Sequence, residues 1–255
     1  MTRFTRLLGD VRSAARSLSE RRAGRVHRSA TGSEAAGLVT ASSAPDGEPD
    51  AERSNYPRAV KVSGLNERVL KFLRSTECRT IAEIGVYEGN TSREIAKWLD
   101  GQGELHLFDF HDTVDAVVGS LASDGYSNVR GYGNSYKYLD SYNWSLAKIL
   151  EANPGPIYDF VYIDGAHTWA IDGFATMLVD RLLVVGGYLA HDDYSWSLAV
   201  SPSLKPSVFP LTAKMYTEEQ IRSKQVKMIC DLLIRRSGRY EEVVQDKVWR
   251  KVRDS

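Results

Sequence analysis

The 200 residues from Tyr56 to Ser255 predict a doubly wound α/β domain, its sheet mostly parallel and completed by a late antiparallel hairpin. Short apolar runs alternate with helix-spaced segments, the rhythm of parallel strands covered by helices on both faces. The early runs end in corners that carry glycine or aspartate, and Gly238 breaks the chain ahead of two final strand-like segments.

The elements follow in order. A helix over 64–74 leads into a first strand, Thr80–Ile84, and a helix over 90–99 separates it from a second, Glu104–Phe110. A helix over 112–123 precedes Asn128–Tyr132, and one over 135–151 precedes Tyr158–Ile163. A helix over 168–181 leads to the fifth strand, Gly187–His191. Beyond it lie an irregular stretch punctuated by Pro202, Pro206 and Pro210, a helix near 217–236, and strands around Tyr240–Val244 and Lys247–Val252. The irregular stretch reads as a lid over an acceptor or as a solvent loop. In such sheets ligands sit at the carboxyl ends of the strands, so the corners there carry the functional information.

Composition narrows the classes. The longest apolar run, 182–190, has nine residues, far short of the roughly 20 that span a bilayer. No apolar signal-peptide core is seen. Cys78 and Cys230 are too few for a disulfide framework and lack metal-site spacing, which makes a reducing, cytoplasmic setting the default. The 33 basic and 33 acidic side chains sum to zero, which argues against a nucleic-acid binder, yet the charge is unevenly placed. Residues 1–28 carry eight arginines against two acids (+6), 29–55 sum to −4, and 56–255 to −2. The head has Phe4, Leu7, Leu8, Val11, Ala15 and Leu18 at helical spacing and reads as a frayed terminus, a membrane-surface or partner contact, or a transit peptide. Residues 29–55 are nearly empty of large apolar groups and read as a flexible linker. The domain is expected over 56–255.

The first strand ends in Glu83-Ile84-Gly85-Val86-Tyr87-Glu88-Gly89. Gly85 permits a tight turn and close ligand approach, and Gly89 lets the next helix start beneath the ligand. The spacing is neither the dinucleotide fingerprint nor a phosphate loop, and alone it is also what an ordinary strand-to-helix turn shows. The second strand ends at Asp109, which can accept hydrogen bonds from a ribose diol or simply cap a helix. Together these residues resemble a class I S-adenosylmethionine-dependent methyltransferase, of the methyltransferase 24-like kind with a Rossmann-like sheet. The resemblance implies that Glu83, Gly85 and Gly89 lie against the cofactor, that Asp109 binds its ribose, and that Ser135, after the third strand, falls near the adenine.

The fourth strand runs into Ile163-Asp164-Gly165-Ala166-His167, and the fifth into His191-Asp192-Asp193-Tyr194. Adjacent parallel strands would bring Asp164 together with Asp192 and Asp193. Converging carboxylates repel unless a cation lies between them, and a hard divalent ion, Mg²⁺ by preference, suits oxygen ligands. The alternative is that one caps a helix and another faces water. His167, three residues past Asp164, is placed to take a proton from a hydroxyl, or to pack. The layout resembles the metal-dependent O-methyltransferases of natural-product sugars, the mycinamicin and macrocin types. That resemblance implies Asp164, Asp192 and Asp193 as metal ligands, with Asp164 also on the cofactor side, and His167 as base. It also implies a sugar or other small-molecule hydroxyl acceptor and a homo-oligomer. The macrocin type has an acid where this chain has Ala166. Trp169, Tyr194 and Trp196 could wall an acceptor pocket or serve the core. The expected activity is Mg²⁺-assisted O-methyl transfer. The rivals are a metal-independent methyltransferase and a non-catalytic protein of the same fold that binds a partner through its basic head.

Overall fold

The structure, a computed structural model, describes residues 64–254 apart from Tyr138. The expected basic head and linker lie outside the described residues. Helix α1 (Gly64–Leu73) leads into β1 (Thr80–Ile84), α2 (Asn90–Leu99), β2 (Glu104–Phe110), α3 (His111–Ser123) and β3 (Val129–Asn134). Then come α4 (Tyr142–Ala152), β4 (Tyr158–Ile163), a π-helical turn (Trp169–Gly173), α5 (Phe174–Leu182) and β5 (Leu183–His191). The chain closes with short helices α6 (Leu211–Met215), α7 (Glu218–Arg222) and α8 (Gln225–Ile229), and with strands β6 (Tyr240–Val244) and β7 (Val248–Lys251).

The seven strands are ordered β3-β2-β1-β4-β5-β7-β6, the first five parallel and β7 antiparallel to both neighbours. The expected final hairpin therefore inserts its second strand between β5 and β6 rather than hanging from the edge. Strand order reverses between β1 and β4, and that switch point opens a crevice at the carboxyl ends. Alternation along β4 builds the two layers: Val161 and Ile163 face one apolar cluster with Ile84, Leu146 and Leu189, while Phe160 and Tyr162 face another with Ile81, Leu105 and Ile95. Each such fully buried side chain contributes about 1.5–3 kcal/mol of apolar burial, which fixes strand register and hence where the corners fall.

Three helices differ from expectation. The segment predicted over 135–151 becomes helical only at Tyr142, after Ser141 caps it by accepting from the Asn143 amide. Ser135 is held outside it by Asp140, which accepts from the Ser135 amide at 2.7 Å and its hydroxyl at 2.6 Å. The helix over 168–181 opens with the π turn at Trp169–Gly173. The helix near 217–236 is broken between α7 and α8, because Gln225 is drawn inward. Its amide donates to the Gln220 carbonyl at 2.8 Å and its carbonyl accepts from the Trp169 amide at 2.7 Å. Among the described residues no helix is long and apolar enough to cross a membrane.

Candidate active site

The corner after β1 is set by Gly85, at φ +90°. A Cβ there would lie 2.0 Å from the Asp164 carbonyl oxygen, so only glycine lets the β1 and β4 corners meet. The Asp164 amide donates to the Ile84 carbonyl at 2.7 Å and the Asp192 amide to the Ile163 carbonyl at 2.9 Å. These bonds carry the ladder one residue past each strand and line up the acidic corners. Gly89 opens α2 at φ +73°, packed where a Cβ would strike Val117.

Three residues assigned to the cofactor are tied into this framework. Asp109 accepts the Val86 and Tyr87 amides at 2.8 and 3.0 Å with one oxygen and the Phe110 amide at 2.7 Å with the other. It fixes the glycine loop, with Tyr87 in the left-handed region at φ 51°. Glu83 is buried and accepts the Ser92 hydroxyl at 2.5 Å. Burial, opposed by that bond and aided by the Asp109 charge, pushes its carboxyl up to about 8, so near neutrality it holds a proton. Ser135 is bonded to Asp140, and its hydroxyl is engaged there.

The β4 and β5 corners bring the remaining predicted residues together. His167 and Asp193 both sit in the left-handed region, at φ 56° and 54°. That is an uncommon state for residues with a Cβ, and it tends to collect at functional sites. It sets the His167 Nε2 3.7 Å from Asp164 Oδ1 and 3.4 Å from Asp193 Oδ2. The imidazole meets Trp196 edge to face at 5.3 Å. Tyr162 donates its hydroxyl to Asp164 Oδ2 at 3.2 Å. Burial, then the charges of Asp192, Asp193 and Glu83, push the Asp164 carboxyl well above the usual carboxylate range.

The three acids expected to share one cation are not held alike. Among the described residues no three His, Cys, Asp or Glu side chains are gathered into a single metal-ligand set. Asp192 instead pairs through Oδ1 with the buried ammonium of Lys247, which the β5–β7 pairing delivers. Burial presses the Asp192 carboxyl upward, and Lys247 more than offsets it, holding it below the usual range. Beside it, His191 is fully buried with Nε2 3.2 Å from the Thr176 hydroxyl. Burial and Lys247 push it down to about 3, leaving it neutral.

Sequence reasoning missed Lys247 and Asp172. The first is 55 residues from its partner, and no local spacing announces it. Asp172 is buried in the π turn and accepts the His167 amide at 2.7 Å. Its only signal was an acid five residues after a candidate base.

Residues 82–194 match the family model described as a methyltransferase domain. The sheet order and switch-point corner described above are those of the Rossmann-like class I methyltransferase fold. The structure resembles the O-methyltransferase from Bacillus cereus solved with SAH, at a TM-score of 0.54, 16% identity and coverage of 78% of this chain and 86% of that one. It also resembles the O-methyltransferase TomG from Streptomyces achromogenes, involved in tomaymycin synthesis and solved with SAM. There the TM-score is 0.51 and identity 16%, with 79% of this chain and 86% of that chain covered. No curated protein matches the chain by sequence.

Proposed function

We propose that this methyltransferase domain moves the methyl group of S-adenosylmethionine to a hydroxyl oxygen of a small molecule, a sugar or related natural product. The observation that supports this most is the strained β4–β5 corner, where left-handed His167 and Asp193 set an imidazole nitrogen against two carboxylates beside the cofactor loop.

The acceptor oxygen attacks the sulfonium methyl carbon in line as the carbon–sulfur bond breaks. Its electron pair returns to sulfur, giving S-adenosylhomocysteine. The hydroxyl proton passes to Nε2 of His167, which Trp196 and the corner hold in place. The electrophile is already reactive, so geometry and the nucleophile's proton are what the chain must supply.

The donor chemistry suits a hard divalent ion. Asp164, Asp192 and Asp193 offer only carboxylate oxygens, the ligands such an ion takes, and its binding would displace the proton that burial favours on Asp164. Asp164, Asp193 and the second oxygen of Asp192 would hold the ion. When bound it would lower the acceptor hydroxyl's pKa. The Asp192–Lys247 pair favours one second reading, a metal-independent O-methyltransferase in which the chain's own ammonium serves this corner.

Transfer of labelled methyl from S-adenosylmethionine to a panel of glycosides and phenols tests the proposal. With the metal, EDTA abolishes turnover, Mg²⁺ restores it, and cofactor binding persists throughout. Chelation-insensitive turnover selects the second reading. His167→Ala is expected to cost about 10²–10⁴-fold in kcat, and near-normal rates in that variant across pH 6–8 would remove histidine as base.

A further inference from the structure

We propose that Asp172 is the positioning residue for His167, its carboxylate holding the corner in the one backbone state that aims the imidazole between Asp164 and Asp193. The proposal rests on the reading of His167 as base.

Three donors converge on Asp172. Its Oδ2 accepts the His167 amide at 2.7 Å, and its Oδ1 accepts the Ala166 amide at 3.2 Å and the hydroxyl of Tyr142. The residue is 1% exposed. A buried carboxylate is costly unless its oxygens are used. Packing alone would be served by an apolar side chain, and an asparagine would offer one acceptor oxygen where two are occupied.

The corner needs such a hold. A left-handed histidine costs about 1–2 kcal/mol relative to the right-handed state. Hydrogen bonds to a charged acceptor are worth roughly 1.5–3 kcal/mol each, enough to select the strained state. The framework behind Asp172 is rigid for the same purpose. Tyr142 starts the capped helix α4, and Asn143 beside it donates to the Ile171 carbonyl at 3.1 Å, clamping the π turn to that helix. Gly165 completes the fit, because a Cβ there would lie 2.5 Å from the Tyr142 hydroxyl oxygen. The π turn has one residue more than an α turn would use, a bulge commonly found at functional sites. It ends in the same five-residue span that carries Asp172. Tyr142, Asp172 and the amides of 166–167 thus form a floor under His167.

A double-mutant cycle in the full chain tests this. Asp172→Asn should lower kcat about 10–100-fold, the scale of an ångström misplacement, with the dissociation constant for S-adenosylmethionine changed less than about threefold. In a His167→Ala background the same substitution should cost less than about twofold more, since residues acting through one group are non-additive. The imidazole NMR resonances of His167 should shift in Asp172→Asn. Equal losses in both backgrounds, or unchanged resonances, overturn the proposal. Should His167→Ala keep wild-type turnover, the base reading fails by itself and the resonances alone decide the positioning role. If Asp172→Asn does not fold, Tyr142→Phe, which removes one donor from the same carboxylate, passes through the same cycle with the same criteria.

Discussion

Replacing Lys247 by methionine probes the cation built into the acidic corner. The pair is nearly dry, with side-chain exposures of 3% for Lys247 and 9% for Asp192. Methionine retains most of the stem's packing, so the loss falls on the charge. Removing one member of a buried ion pair leaves the other uncompensated and costs about 3–5 kcal/mol. At roughly 2–4 °C per kcal/mol for a domain of this size, the melting temperature should drop by about 6–20 °C. The pH dependence carries the sign. Asp192 is held below its ordinary value in the native chain. Its contribution is therefore full above the unfolded carboxylate pKa near 3.9 and is lost as pH falls through the lower folded value. In Lys247→Met the same carboxyl is buried without its partner and prefers the proton. The penalty should be greatest at pH 7–8 and shrink as pH approaches 4. Adding Asp192→Asn should recover most of it, because the stranded charge is gone. Thermal and urea unfolding at pH 8 and pH 5 measure all of this. A shift no larger than that of an exposed control such as Lys97→Met, or a penalty independent of pH, would refute the assignment of Lys247 as the counter-charge of Asp192.

Two further predictions concern the β1 corner. Glu83→Gln keeps the Ser92 contact and removes a carboxyl that burial pushes up to about 8. A raised carboxyl loses stability as pH climbs from about 4.3 to the folded value, so the variant should melt above wild type at pH 8.5 and level with it near pH 4. Equal melting temperatures at both pH values would show that Glu83 is not a neutral acid in the fold. Gly85→Ala combines a φ of +90° with a Cβ 2.0 Å from a backbone oxygen. It should cost more than about 3 kcal/mol or prevent folding, read by circular dichroism and binding of S-adenosylmethionine. Unaltered melting and cofactor affinity would mean the two corners do not meet there.

The strand corners were legible in the sequence because both of their determinants are local. Thr80–Ile84 and Tyr158–Ile163 are buried up to their ends and Glu104–Phe110 up to Phe108, and period-two register then dictates where the next polar residue emerges. Asp109 is the penultimate residue of β2, and Gly85, Asp164, His167, Asp192 and Asp193 each stand one turn or less past a strand, so alternation with helices was enough to place them at one edge. What remained hidden depends on groups distant in sequence. Ser135 was read as the start of a helix, but Asp140 captures its amide and hydroxyl, and the helix starts only after the Ser141 cap. Gln225 sits in a plausible helical run, yet its amide is spent joining the π turn to α7, and the run breaks. The largest omission concerns charge. Carboxylates gathered at one edge need a cation, and from the motif alone a metal ion was the only candidate in view. The insertion of β7 between β5 and β6 is a topological fact with no local signature, and it is that insertion which delivers Lys247 to Asp192. The consequence is a division of labour that sequence could not have suggested. Asp192 is fixed by the chain's own lysine, while Asp164 and Asp193 lie on either side of His167.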